Sequence, residues 1–303
     1  MLYYARFTGD LFGSPVLCYS EGDYWSMTTT TSGPSIEALQ DKAKAIRRHV
    51  VEAIAAAKSG HPGGSLSAAD IVTVLYFGGV LRHDVNNPHD PNRDRFILSK
   101  GHAVPVLYGA LAEAGYIPVE SLVTLRQLGS PLQGHPSKAD LSIMEASTGS
   151  LGMGLSVGVG MAMAAKLNGA DFRTYVMLGY GESEEGQVWE AAMSAPFHKL
   201  DNLVAIIDSN KYQLDGSIAE ILDWNPIAEK WAAFGWHTIE IDGHNMEEIL
   251  AAFAEAKTVT GKPVCIVANT IKGQGVCFIA GNNDWHGKAP SADECAKAMA
   301  ELA

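Results

Sequence analysis

The chain has 303 residues, 47% of them hydrophobic, and its 34 acidic against 22 basic side chains leave a net charge of −12 with histidine neutral. That is enough apolar material for one large core or two small ones, and the acidic surplus argues against non-specific binding to nucleic acid or anionic membranes. Cys18, Cys265, Cys277 and Cys295 form no C-x-x-C pair, no apolar run reaches the roughly 18 residues of a membrane span, and the start lacks a signal-peptide pattern. The expectation is a cytoplasmic protein without zinc, disulfides, membrane or nucleic acid.

Residues 1–34 read as an appendage, aromatic (Tyr3, Tyr4, Phe7, Phe12, Tyr19, Tyr24, Trp25) and closing on a threonine run. Regular grammar begins at Ser35, which can cap a helix running to about residue 58, with Ile36, Leu39, Ala43, Ile46, Val50 and Ile54 at helical spacing and Gly60 as its stop. A second helix is expected over 67–76. Short apolar runs over 95–98, 174–178, 203–207, 237–241 and 264–268 read as buried strands. Helical patterns separate them, over 102–114, 118–127, 154–167, 185–198, 226–234, 246–257 and 293–302. Pro196 falls inside one of these, where a missing N–H predicts a kink. Strands alternating with helices predict an α/β domain over 35–303, a parallel sheet with helices on both faces. Ligands of such sheets sit beyond the carboxyl ends of the strands, which selects the loops after Leu98, Leu178 and Ile207.

Those loops carry the unusual residues: Ser99-Lys100-Gly101-His102, then Gly179-Tyr180-Gly181-Glu182-Ser183-Glu184-Glu185-Gly186, then Asp208-Ser209-Asn210-Lys211-Tyr212. A glycine-bounded turn from strand into helix aims backbone N–H groups at a phosphate, and Asn210 offers the hard oxygen that Mg²⁺ or Ca²⁺ prefers. Each loop alone is compatible with ordinary turn chemistry. Gly158-Val159-Gly160 lies inside a helical pattern and is a poor dinucleotide turn.

Together the motifs resemble the transketolase family. Gly179 to Asn210 is similar to the thiamine-diphosphate motif, in which a Gly-Asp-Gly-Glu turn is followed, a helix and a strand later, by an asparagine. Further matches run in order through residues 40–290: Ser59-Gly60-His61-Pro62-Gly63-Gly64, Asn92 to Ala103, Leu125 to Ser130, Gly134-His135-Pro136, Thr148 to Gly154, and Trp285-His286-Gly287. The resemblance implies the thiamine-diphosphate-binding fold and transfer of a two-carbon ketol unit from a ketose phosphate to an aldose phosphate. It implies thiamine diphosphate and Mg²⁺ (or Ca²⁺) as cofactors. His61, His102, His286 and Glu185 then carry catalysis, Glu185 within a carboxylate network across a dimer interface. His102, Gly149, Ser150, Leu151, Gly181, Glu182, Asn210 and His286 hold the cofactor. His61, His135 and His286 meet the substrate, and Asn210 with the backbone carbonyl of Tyr212 ligates the metal.

The resemblance also implies a partner. In single-chain relatives a second domain binds the cofactor's pyrimidine ring and supplies the glutamate that activates it. Here that domain is expected on a C-terminal transketolase subunit, this chain forming a homodimer within a heterotetramer of the pentose phosphate pathway. One residue departs from the pattern: Tyr180 stands at the metal-ligand position of the motif's aspartate. A phenol of pKa about 10 is neutral at pH 7, and its ring is expected to displace a compact octahedral ion. It favours a second reading, a non-catalytic or regulatory transketolase-like subunit with a lost metal site; a third is a ketol transferase of a biosynthetic pathway.

Overall fold

The computed structural model describes residues 33–303, so the expected appendage lies, as far as residue 32, outside the described residues. Helix α1 spans Ile36–Ala57, and the Ser35 hydroxyl accepts from the Ala38 amide at 3.1 Å, as the cap requires. Its apolar stripe is buried through Leu39, Ala43, Ile46, Val50 and Ile54. The helix stops at Lys58, itself left-handed at φ 51°, two residues before the expected glycine.

The single helix expected over 67–76 is two helices, α2 (Pro62–Ser67) and α3 (Ala69–Phe77). Pro-Gly-Gly reads as a turn, yet proline suits the first helical position, where its missing N–H costs nothing. All six residues of α2 are buried, and that packing overrides two glycines. The helix expected over 118–127 is only a 3-10 turn, Val119–Thr124.

The strands β1 (Arg95–Leu98), β2 (Thr174–Gly179), β3 (Leu203–Ser209), β4 (His237–Asp242) and β5 (Val264–Asn269) form one parallel sheet in the order β1-β2-β3-β5-β4. Side chains alternate between its faces with the period of a strand. Tyr175, Met177, Val204, Ile206, Val264 and Ile266 join the core that contains α1 and α3. Val176, Leu178, Ala205, Ile207, Cys265 and Val267 join the opposite core. The latter packs under α5 (Met153–Leu167), α6 (Gly186–Phe197) and α8 (Ile227–Ala233), with α4 (Val104–Glu113), α7 (Ile218–Ile221), α9 (Met246–Thr258) and α10 (Ala292–Glu301) completing the helices. Both central strands are buried along their whole length, which is why they read as unbroken apolar runs.

Pro196 does not break its helix. It lies in the last turn of α6, and the carbonyl it cannot bond, four residues back on Ala192, accepts instead from the Trp236 indole N–H at 2.8 Å. Among the described residues, no helix is long and apolar enough to cross a membrane.

Candidate active site

The carboxyl ends of β1, β2, β3 and β5 open on a cavity of about 510 Å³ whose walls include His61, Lys100, His102, Asn210, Lys272 and His286. Its histidines come from three places. His61 precedes α2, His102 lies in the turn after β1, and His286 follows the 3-10 turn Asn283–Trp285. The His61 ring centroid lies 5.2 Å from His102 and 5.6 Å from His286, which are 5.4 Å from each other. His135 stands at the exposed edge of this group, 6.5 Å from His61. Four turns far apart in the chain thus meet at one mouth.

The floor is a buried ion pair. Asp208, at the end of β3, takes hydrogen bonds from Lys100 Nζ, from Thr270 Oγ1, from Ser67 Oγ at 2.6 Å and from Asn210 Nδ2 at 3.2 Å. Both Lys100 and Asp208 are fully buried. Burial pushes the Asp208 carboxyl up, but the Lys100 charge and these hydrogen bonds outweigh it and hold it below the ordinary carboxylate range.

Lys272, in the loop after β5, is the functional candidate that the sequence reading missed. Its ammonium donates to His286 Nδ1 at 2.8 Å, to Asn283 Oδ1 at 2.6 Å and to the Gln213 carbonyl at 3.2 Å. An ammonium has only donors, so His286 must accept at Nδ1 and carry its proton on Nε2. Burial, with Lys100 nearby, lowers Lys272 to about 8. The rule that selects strand ends applies equally to β5, and Thr270-Ile271-Lys272-Gly273 was the signal that could have found it.

The loop after β2 is braced by Glu182. Its carboxylate accepts from the Gly179 amide at 2.9 Å, the Gly152 amide at 3.0 Å and the Ser99 hydroxyl. Burial raises its pKa, opposed by those bonds. Glu182 also lines the cavity, so the turn it braces stands where the cofactor is expected. Gly181 lies on the cavity, where an added Cβ would meet Gln213 Cβ at 2.6 Å, so only glycine permits this close approach. Gly149 and Leu151 also line the cavity, whereas Ser150 is exposed beside them. Glu185 caps α6 at the exposed edge of the cavity and takes no part in the histidine cluster.

Tyr180 is not placed as a ligand. It is 1% exposed and packs 5.3 Å from Trp224 in an aromatic group that continues through Trp189, Trp231 and Trp236. Its hydroxyl is shut off from solvent without a partner at bonding distance, the Asn225 amide being the polar group facing it. Burial raises its pKa, so the phenol stays neutral. Asn210 Oδ1 accepts from the Tyr212 amide at 3.2 Å. The motif's metal-ligand positions therefore offer two neutral oxygens, Asn210 Oδ1 and the Tyr212 carbonyl, while the Glu184 carboxylate lies on the same cavity with Oε1 buried and unpartnered. Among the described residues, no three His, Cys, Asp or Glu side chains gather as a metal-binding group. The motif's own donor set lacks the charged ligand that would fit the metal. It does fit a diphosphate-bearing cofactor: the Gly181 turn, the Lys272 cation and a His61 Nδ1 that is buried without a partner all face one cavity.

Burial and nearby cations lower His61 to about 4 and His286 to about 3, and they push His102 well below its ordinary value. At neutral pH the cluster is uncharged, each ring offering one donor and one acceptor. The linkage has a definite sign. An unfolded histidine takes up a proton near pH 6.5, and the folded rings do not until near pH 4 and 3, so stability falls as pH drops through that window. The melting temperature is expected to decline below pH 6.5, and His286→Asn to flatten the slope. Equal slopes in the two proteins would contradict the burial argument.

A family model for the transketolase thiamine-diphosphate-binding domain matches residues 38–303. The chain is 42% identical over 267 residues to an apulose-4-phosphate transketolase subunit of Phocaeicola vulgatus, covering 88% of this chain and 94% of that protein. It is 45% identical to a 6-deoxy-6-sulfo-D-fructose transketolase subunit of a Clostridium species, covering 87% and 96%. Human transketolase is 42% identical over 84% of this chain, which spans 40% of the human protein. The crystal structure of Campylobacter jejuni transketolase superposes with a TM-score of 0.83 at 36% identity, over 89% of this chain and 43% of that one. The α/β architecture, the glycine turn after β2 and the matched relatives place the chain in the transketolase family, in its thiamine-diphosphate-binding domain.

Proposed function

We propose that this chain is the diphosphate-binding subunit of a two-chain transketolase, moving a two-carbon ketol unit from a ketose to an aldose that each carry a terminal anion. The observation that carries this reading is the convergence of neutral His61, His102 and His286 with Lys272 on one cavity at the strand ends. Two relatives matched over nearly their whole length are named as subunits of transketolases, one for apulose-4-phosphate and one for 6-deoxy-6-sulfo-D-fructose. Those names favour a ketose with an anionic end and leave the pentose phosphate pathway as one source among several.

Thiamine diphosphate, when bound, supplies an electron sink for the carbanion left by carbon–carbon cleavage. The chain's own residues do the rest of its half. The Gly181 turn would admit the diphosphate, and Lys272 would offer it a positive charge. Lys272 also holds His286 with its donor on Nε2, available to a sugar oxygen. His61 and His102 present uncharged rings that can give or take a hydrogen bond without repelling a cation. His135 and Gly149 to Leu151 border the entrance, and Glu185 lies where a second chain can meet it. The acid that activates the pyrimidine ring has to come from the partner, since proton transfer needs a donor within hydrogen-bond reach.

Purified alone, the chain is expected to show no ketol transfer, and activity should appear on adding a chain that carries the pyrimidine-binding domain. Turnover by the isolated chain would sink the two-chain reading. A second reading, an assembly role without catalysis, is favoured by one observation, the burial of Tyr180 at the metal-ligand position.

A further inference from the structure

Arg47, Asp70 and His244 form a largely buried chain of hydrogen bonds along a second cavity, of about 370 Å³, and none of the three lines the one at the strand ends. Arg47, on α1, donates from both terminal nitrogens to the two oxygens of Asp70 on α3, and from Nε to the Gln274 carbonyl at 3.1 Å. His244, in the turn after β4, approaches Asp70 Oδ2 through Nδ1 at 2.7 Å. At its other end, His244 Nε2 lies 2.8 Å from the Ile271 amide, which donates to it. An amide cannot accept there, so Nε2 is unprotonated and Nδ1 carries the proton to Asp70. Opposed to burial, the bonds from His244 and Arg47 hold Asp70 below the ordinary carboxylate range, consistent with an ionised acceptor.

The residue after Ile271 is Lys272. The loop that carries it is pinned on both sides: the Thr270 hydroxyl donates to Asp208, and the Gly273 amide donates to the Gly63 carbonyl at 2.9 Å. Ile271 itself is 48% exposed and makes no core anchor; its amide bond to His244 joins the bonds from the Gln274 amide to its carbonyl at 3.1 Å and from the Gly281 amide to the Lys272 carbonyl at 2.8 Å in setting the backbone here. We propose that His244, oriented by Asp70 and Arg47, is a positioning residue that sets the backbone of Ile271 so that Lys272 reaches His286 Nδ1. His244 touches neither the cavity nor its contents. It acts by deciding which nitrogen of His286 is the acceptor.

The test reads the His286 ring directly, on the chain without partner or cofactor, by ¹⁵N NMR of histidine-labelled protein at pH 7, with assignment by His286→Asn. The parent should show His286 as a single tautomer protonated at Nε2. His244→Leu removes both hydrogen bonds and is expected to give a mixture of the two tautomers. His244→Gln can donate to Asp70 and accept from Ile271, and should restore the single tautomer. A His244→Leu protein that melts lower but keeps His286 in the single Nε2–H form would overturn the proposal, because that is what a purely structural role predicts. In the reconstituted enzyme, His244→Leu and Lys272→Met should each lower kcat by roughly tenfold or more. Their double variant should be no worse than Lys272→Met, since coupled residues are not additive. Additive losses would overturn the proposal. Undiminished kcat in Lys272→Met would instead contradict the functional reading of the cavity and leave the NMR result standing.

Discussion

Asp208→Ala is expected to destabilise the chain by about 3–5 kcal/mol, the usual cost of stranding one member of a buried ion pair. A domain of this kind is stable by only ~5–15 kcal/mol, so the variant should express poorly or unfold near growth temperature. Lys100 is as fully buried as its partner and has one other acceptor, the Gly64 carbonyl at 2.7 Å. Without Asp208 its charge lies among Ser67, Thr270 and Asn210, which no longer share a carboxylate. Removing both charges together, as Lys100→Met with Asp208→Leu, should recover part of the loss, because the desolvation cost then disappears with the attraction. The pH dependence follows from the lowered Asp208 pKa. Its stabilisation is present above the unfolded value of about 3.9 and is lost as pH falls through the lower folded value. Denaturant titrations of the single and double variants measure this. A double variant no more stable than Asp208→Ala would show that the pair is not the unit that matters.

Tyr180→Asp should convert thiamine diphosphate binding, in the presence of the partner, from metal-insensitive to magnesium-dependent. Affinity in Mg²⁺ should rise by about 10²-fold, that is about 2.8 kcal/mol at 1.4 kcal/mol per decade. A charged hydrogen bond is worth about 1.5–3 kcal/mol, and an ion bridging carboxylate and diphosphate exceeds that. The parent's two neutral oxygens hold Mg²⁺ weakly, so chelation should change its affinity little. The substitution also removes a ring from Trp224, so the variant should melt lower until magnesium and cofactor are added, when linkage restores it. Tyr180→Phe is the control. It keeps the ring, removes a hydroxyl without a partner, and should be at least as stable with unchanged binding. If the parent's affinity already depends strongly on Mg²⁺ and Tyr180→Asp does not alter it, another group ligates the metal. Activity gained only with Tyr180→Asp would favour the assembly reading of the natural chain.

Much of this is legible from residue order. The five strands are apolar runs, three of them closed by Ser99, Gly179 or Asp208, and burial on both faces is what makes them readable. The histidines are legible because each stands in a glycine- or proline-rich turn. What the sequence conceals depends on contacts between distant residues. Lys100 and Asp208 are 108 residues apart, and Asp70 and His244 are 174 apart. Nothing local marks Asp70 within a helix or His244 within an Asx turn as partners. The contacts of Glu182 are equally hidden: its carboxylate satisfies the amides of Gly179 and of Gly152, the latter 30 residues away. Tyr180 differs from its expectation in mechanism. The ring packs on Trp224 in the aromatic core while the residue still borders the cavity, so the motif's side chain at that place is a buried ring.

On the proposed function, this cavity holds thiamine diphosphate jointly with a partner chain. Calorimetric titration of thiamine diphosphate into this chain, into the partner and into their mixture tests it most directly. Saturable binding is expected in the mixture alone, one cofactor per pair of chains, weakened by Lys272→Met. Binding to the isolated chain as tight as to the mixture, or no binding in the mixture with or without Mg²⁺, would contradict it.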